Sequence, residues 1–256
     1  MTDWNPEQYL EFKNERTQPS IDLVSRIKTK HPESIVDLGC GPGNSTQILC
    51  QRWPTAKVVG IDNSAEMIKK ASTDFPQQNW KLGDVSKLDR NVSFDIVFSN
   101  ATLQWLSDHD VLIPNLFEVV KKNGALAVQV PANNESPLHQ ALMSISAEGQ
   151  WNKYTKGCEN LLNYQSAEYY YNALAHLSSE IEMWETTYYH QLNTHQELIN
   201  WYRTTGMRCF LNRLPNATLI SAFEKEVLEM CKVSYKIQQN GRIIYPFKRM
   251  FFIAYK

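Results

Sequence analysis

The stretch "SIVDLGCGPGNST", residues 34–46, joins a short apolar run, three alternating glycines and the polar start of a helix. A strand that turns through glycines onto a helix N-terminus is the cradle used by many nucleotide-binding proteins. The dinucleotide form of that loop wants glycine at its first, third and sixth positions. Here Gly39, Gly41 and Gly43 alternate, and the sixth position is Asn44. Asp37 stands just before the first glycine, at the end of the strand. A carboxylate there would repel a pyrophosphate and help to hold an ammonium group.

Three features downstream sharpen the reading. "KVVGID" is a second strand ending on Asp62, at the right distance from the loop to accept hydrogen bonds from both ribose hydroxyls. "NWKLGD" is a third, followed by Asp84, whose side chain can take the exocyclic amine of an adenine. "FDIVFSN" is a fourth, ending beside the same site. An adenosine with an amino-acid tail and no phosphate satisfies all of these, so S-adenosylmethionine fits and a nicotinamide dinucleotide does not.

The elements around these residues alternate. "QPSIDLVSRIKTK" places Ile21, Val24 and Ile27 at helical spacing, "NSTQILCQRW" and "SAEMIKKAST" are helices, and Ser64 caps the latter. "HDVLIPNLFEVVKK" is a helix, the turn "NG" follows, and "ALAVQV" is a fifth strand. Strand and helix alternating over 34–131 imply βαβ units and a parallel sheet. From 136 to 180 the strands stop, and this segment reads as a helical insertion covering the site. "IEMWETTYYHQL" is β-rich, two helices follow, and "IIYPFKRMFFIAYK" closes the chain as a β-rich segment split by Pro246. The whole, 1–256, reads as one domain: 1–30 a lid and first helix, 34–131 the cofactor core, 181–256 the strands and helices completing the sheet and acceptor pocket.

Composition narrows the function. A formal net charge of −1, with no block of like charge, leaves no basic footprint for nucleic acid or an anionic membrane. The N-terminus has no apolar run suited to a signal peptide, and no window is long enough to cross a bilayer. Cys40, Cys50, Cys158, Cys209 and Cys231 are scattered without a CxxC pair. They read as reduced thiols in a cytoplasmic protein, with no metal site. Cys40 is a small buried residue of the loop and not a nucleophile.

The set "DLGCGPG", Asp62, Asp84 and "SNAT", each after a successive strand, resembles the class I S-adenosylmethionine-dependent methyltransferases. That resemblance implies a Rossmann-like α/β sheet, mostly parallel, with an antiparallel last strand. It implies that Asp37, Gly39, Cys40, Gly41 and Gly43 line the methionine end and that Asp62 takes the ribose. Asn63 and Met67 would flank the adenine, Asp84 and Val85 would meet its polar edge, and Asn100 and Ala101 would lie near the sulfonium. Within that class, "DWNPEQYLEF", "LQWL" and "TTYYHQ" are similar to the trans-aconitate methyltransferases, which implies esterification of one carboxylate of a small unsaturated polycarboxylate.

A carboxylate is ionised at neutral pH and needs no general base, so no catalytic acid or base is expected. The acceptor instead requires cations and donors. Arginine grips carboxylate with two parallel bonds, and Arg16, Arg208 and Arg249 stand in phrases that match the family; Arg203 lies close by in sequence. Tyr188 and His190, or else Tyr189 alone, can face the site from one side of a strand. Gln104 and Trp105 follow the fourth strand and can touch the acceptor or fill the core, and Trp4, Tyr9 and Phe12 can fold over it as a lid. His109 reads as a helix-start residue and His31 as surface.

Overall fold

Five consecutive strands form where the apolar runs predict them. In a computed structural model describing Glu7 and residues 12–163 and 165–256, these are β1 (Ser34–Leu38), β2 (Lys57–Asp62), β3 (Asn79–Leu82), β4 (Phe94–Asn100) and β5 (Val120–Pro131). β1 pairs in parallel with β2 and β4, β2 with β3, and β4 with β5. The central strands read as continuous apolar runs because both faces of a parallel sheet are covered; Ile35, Val36, Leu38, Ile96, Val97 and Phe98 have no exposed surface. β6 (Glu180–Leu192) and β7 (Ile243–Tyr255) complete seven strands in the order β3-β2-β1-β4-β5-β7-β6. β7 runs antiparallel to β5: the Asn123 N–H donates to the Lys256 carbonyl and the Lys256 N–H to that of Gly124.

The described chain falls into two compact units. One holds residues up to 131 together with 165–185 and 250–256, the other residues 132–163 and 186–249. The segment 136–180 is thus divided between them, and β6 and β7 contribute residues to both.

In the first unit α1 (Lys13–Arg26) packs on α2 (Asn44–Arg52) and on β5, α3 (Ala65–Asp74) packs on β2 and β3, and α4 (His109–Glu118) packs on β5 and α7 (Ala167–Leu174). Ser64 caps α3 by accepting the Met67 N–H. The second unit is mainly helical: α5 (Pro137–Ala147), α6 (Gly149–Thr155), α8 (His195–Arg203), α9 (Arg208–Arg213) and α10 (Ala217–Lys232). α10 packs against α5 and α8, and α9 against α6 and α8. Arg203 and Glu224 join α8 to α10 through an ion pair. None of the described helices is long and apolar enough to cross a membrane.

The structure corrects four local expectations. α1 buries Leu23 and Val24 and is followed by the buried, extended C-cap Ile27, but it leaves Ile21 43% exposed, so Leu23 rather than Ile21 joins Val24 on its core face. α4 stops at Glu118 and β5 begins at Val120, because Val119 and Val120 are both buried and the β-branched pair favours strand. Pro246 does not split β7; it occupies an outward position of a strand whose first residues alternate in burial, where a missing N–H is tolerated. Cys158 and Cys209 form a disulfide, with Cα atoms 5.7 Å apart. No spacing signature announces a bridge between residues 51 apart, and the even scatter of the cysteines concealed it.

Candidate active site

The loop after β1 is fixed to the end of β2. The N–H groups of Gly39 and Cys40 both donate to the Ile61 carbonyl, at 2.7 and 3.0 Å. The Asp62 carboxylate accepts the Gly41 N–H at 2.9 Å on one oxygen and the Ser64 N–H at 2.9 Å on the other. Gly39 has φ +72 and lies so close to Thr102 that an added Cβ would meet its hydroxyl oxygen at 2.1 Å. Gly41, at φ +54, would point a Cβ into open space. Its glycine therefore answers the left-handed backbone and not a close protein neighbour.

Asp37 is fully buried under this loop. Its Oδ2 accepts hydrogen bonds from Ser45 Oγ and Thr46 Oγ1, each 2.6 Å, while its Oδ1 is buried without a partner. Burial pushes the carboxyl up to about 6; the two hydroxyls pull it down, and nearby Asp62 adds to the rise. An orphaned carboxylate oxygen at such a place fits a cationic group of a ligand. Burial likewise pushes the Cys40 thiol far up, which suits a packing role.

Arg16, Thr17 and Ser20 of α1 face this loop across a small cleft, whose other walls include Gly39, Cys40, Gly41, Asn44 and Asn100. Arg16 is only 7% exposed, so a cation is held near the mouth of a loop that also buries a carboxylate. The buried oxygen Asn100 Oδ1 has no hydrogen-bond partner among the described residues. Ala101 follows with φ 55, and the Gln104 Nε2 holds its carbonyl at 2.7 Å. A cleft lined by the buried cation Arg16 and by Asn100, with the Asp37 carboxylate buried behind its wall residue Ser45, suits a zwitterionic amino-acid end.

Along the adenosine side, Asn63 is exposed, and Met67 and Val85 are buried. Asp84 caps a short turn by accepting from Ser86 N and Oγ, and the Ser86 hydroxyl is the main reason its carboxyl lies below the usual range. Gln104 is buried, and Trp105 is partly exposed.

The remaining acceptor candidates belong to the other unit. Tyr188 and His190 share a face of β6 and stack with rings 6.3 Å apart, whereas Tyr189 is 68% exposed on the opposite face. His190 sits among Trp201, Tyr245 and Phe247, with ring centroids 4.6 to 6.3 Å away, and its Nε2 is buried without a partner. Burial, and then the charge of Arg249, lower its pKa to about 4, so the ring is neutral at physiological pH. Arg249 is buried with its guanidinium 4.5 Å from the Phe247 ring centroid. Arg208 begins α9, partly exposed. Phe12 is buried at the start of α1; Trp4 and Tyr9 lie outside the described residues.

Sequence reasoning missed several polar residues here. Ser45 and Thr46 were readable as hydroxyls opening the helix after the loop, but nothing marked them as partners of Asp37. The buried pair of His139 Nδ1 and Tyr202 Oη, 2.6 Å apart in the mainly helical unit, joins positions 63 apart and has no local signature.

Comparison with known proteins agrees with this geometry. Residues 35–124 match the family described as "Methyltransferase domain". The chain is 39% identical over 254 residues to the trans-aconitate 2-methyltransferase of Escherichia coli (strain K12 / DH10B), covering 99% of this chain and 98% of that one. It is 36% identical over 255 residues to the enzyme of the same name from Enterobacter sp. (strain 638), with the same coverage. In fold it is similar to the YcgJ protein of Bacillus subtilis, with TM-score 0.59 and 15% identity over 93% of this chain and 98% of that one. A putative methyltransferase from Bacillus halodurans C-125 gives TM-score 0.58 at 14% identity, over 93% and 99%. The chain belongs to the trans-aconitate 2-methyltransferase family.

Proposed function

We propose that the protein transfers a methyl group from S-adenosylmethionine to a carboxylate of trans-aconitate or a closely related small polycarboxylate. The observation that carries this is a full-length relationship to enzymes of that name at 39% identity. The cleft supports it, because a buried Arg16 faces the glycine loop and the Asp37 carboxylate lies buried behind the cleft residue Ser45.

S-adenosylmethionine, when bound, supplies an electrophilic methyl group on its sulfonium. The chain's own residues bind and orient. Asp62 accepts from the ribose hydroxyls, with its oxygens already aimed by Gly41 and Ser64. Asn63 and Met67 flank the adenine, and Asp84 and Val85 take its polar edge. Asp37 holds the ammonium group through the loop formed by Gly39, Cys40, Gly41 and Gly43. Arg16 serves the carboxylate of the amino-acid end, a reassignment from the acceptor because its neighbours are the loop residues. Asn100 and Ala101 border the sulfonium.

Arg208 and Arg249 balance the acceptor's charges, and Tyr188 and the neutral His190 donate to it. Tyr189, facing the other way, has no part. Phe12 excludes water as part of a lid at the start of α1. Because the acceptor carboxylate is ionised, no proton is moved; orientation and exclusion of water supply several kcal/mol. The near-neutral charge and small acceptor fit a cytoplasmic enzyme without a nucleic-acid partner.

Incubation of the protein with trans-aconitate and S-adenosylmethionine carrying a trideuterated methyl tests the reading. It predicts a product of trans-aconitate bearing one labelled methyl as an ester. Loss of the label only to water, with trans-aconitate unchanged, contradicts it.

A further inference from the structure

We infer that His109 is a positioning residue for methyl transfer, locking the turn after β4 through a fixed tautomer shared with Tyr170 of α7. This rests on the methyl-transfer reading above. His109 opens α4 and is only 3% exposed. Its Nε2 lies 2.9 Å from the Leu103 carbonyl oxygen, and its Nδ1 lies 3.0 Å from Tyr170 Oη. A carbonyl can only accept, so Nε2 carries the hydrogen. In the neutral ring Nδ1 is then the acceptor and takes the Tyr170 O–H.

Both ring nitrogens are thus engaged. Tyr170 is fully buried and stacked on Phe252, with centroids 4.9 Å apart. Its neighbour Tyr169 donates to Asp110 at 2.6 Å. Two successive residues of α7 therefore grip two successive residues at the start of α4.

What His109 holds is a costly piece of backbone. Ala101 and Asp108, both at φ 55, bracket residues 101–108, and they are two of three non-glycine residues with positive φ among those described. Such a backbone conformation is unfavourable for a residue with a side chain and persists where its surroundings dictate it. Within the turn, Thr102 Oγ1 donates to the carbonyl of Gly39 at 3.3 Å, and Gln104 Nε2 holds the Ala101 carbonyl. Asn100, just before the turn, lines the cleft. The His109–Leu103 bond is an anchor from outside the turn, so its loss lets Ala101 relax and carries Thr102 and Asn100 away from the glycine loop.

Three variants separate this role from plain packing. His109→Leu removes both ring bonds; His109→Gln keeps a donor near the Nε2 position; Tyr170→Phe keeps the ring and removes the hydroxyl. Each is measured for kcat, KM, S-adenosylhomocysteine Kd by calorimetry, and ligand-free melting temperature. The inference predicts a kcat at least tenfold lower and a Kd at least fivefold weaker in His109→Leu, with most of both recovered in His109→Gln. Tyr170→Phe should fall between them with a melting temperature near that of the wild type. Glutamine no better than leucine, or Tyr170→Phe equal to wild type in both kcat and Kd, overturns it. If the wild type methylates no polycarboxylate, the methyl-transfer reading fails on its own, while the Kd comparison still tests His109.

Discussion

Asp62 Oδ2 accepts the backbone N–H of Gly41 at 2.9 Å, so the acid that ends β2 also shapes the middle of the glycine loop. One carboxylate thus orders the loop at Gly41 and the start of the following helix at Ser64, and in the proposed reading it also meets the ribose. Asp62→Ala should therefore weaken S-adenosylhomocysteine binding by at least a hundredfold in calorimetry, because it removes the ribose acceptor and unties Gly41 together. Asp62→Asn should lose less, since its amide oxygen can still take one N–H. Equal affinity of Asp62→Ala and wild type would remove Asp62 from the site.

Asp37 makes affinity depend on pH. Its folded pKa, about 6, lies above the unfolded value near 4, so the folded state binds the proton more tightly. That contribution, roughly 3 kcal/mol, is fully present below about pH 4 and is lost as pH rises to about 6. The ligand-free protein should accordingly lose this component of its stability across that window, and Asp37→Asn should flatten the profile. An ammonium group needs the carboxylate form, so cofactor affinity should weaken by up to tenfold per unit below pH 6. At saturation with both substrates, kcat should stay nearly flat from about pH 6 to 8 because the acceptor is already ionised. A steep rise there with an apparent pKa would require a general base and contradict the mechanism.

For the acceptor, Arg208→Ala should raise KM for trans-aconitate at least tenfold and leave the S-adenosylhomocysteine Kd within twofold. His190→Phe, which keeps the aromatic box, should raise the same KM by about fivefold, the worth of roughly 1 kcal/mol expected of one hydrogen bond. An acceptor KM unchanged in both variants would remove these residues from the acceptor's surroundings.

Much of this was legible in the sequence for physical reasons. The parallel core announces itself because β1, β2 and β4 carry buried apolar runs, and the polar residues Asp37, Asp62, Asp84 and Asn100 stand at or just beside the ends of successive strands. The limits of α4 and β5 were not legible, since "EVVKK" continues a helical pattern while tertiary burial draws Val119 and Val120 into the sheet. Tyr169 and Tyr170 look like interchangeable aromatics of a covering helix. Their bonds to Asp110 and His109, about sixty positions away, arise only from the fold. Arg16 reads from the sequence as an acceptor cation, and its place beside the glycine loop depends on the docking of α1.

The Cys158–Cys209 bridge yields a simple count. Denatured without reductant, the protein should titrate three thiols, Cys40, Cys50 and Cys231, and five after reduction. Closing a loop of about fifty residues stabilises the fold by about 4 kcal/mol in the chain-entropy account, so reduction should lower the melting temperature by several degrees. Five thiols without reductant would mean that the bridge does not form.

The most direct test of the whole account is kcat/KM measured side by side for trans-aconitate, cis-aconitate, citrate and isocitrate, with the methylated products weighed by mass spectrometry. The account predicts a single methyl ester and a kcat/KM for trans-aconitate at least tenfold above the other acids. No ester on any of the four, in a protein that binds S-adenosylhomocysteine, would contradict the polycarboxylate site while leaving the cofactor cleft intact.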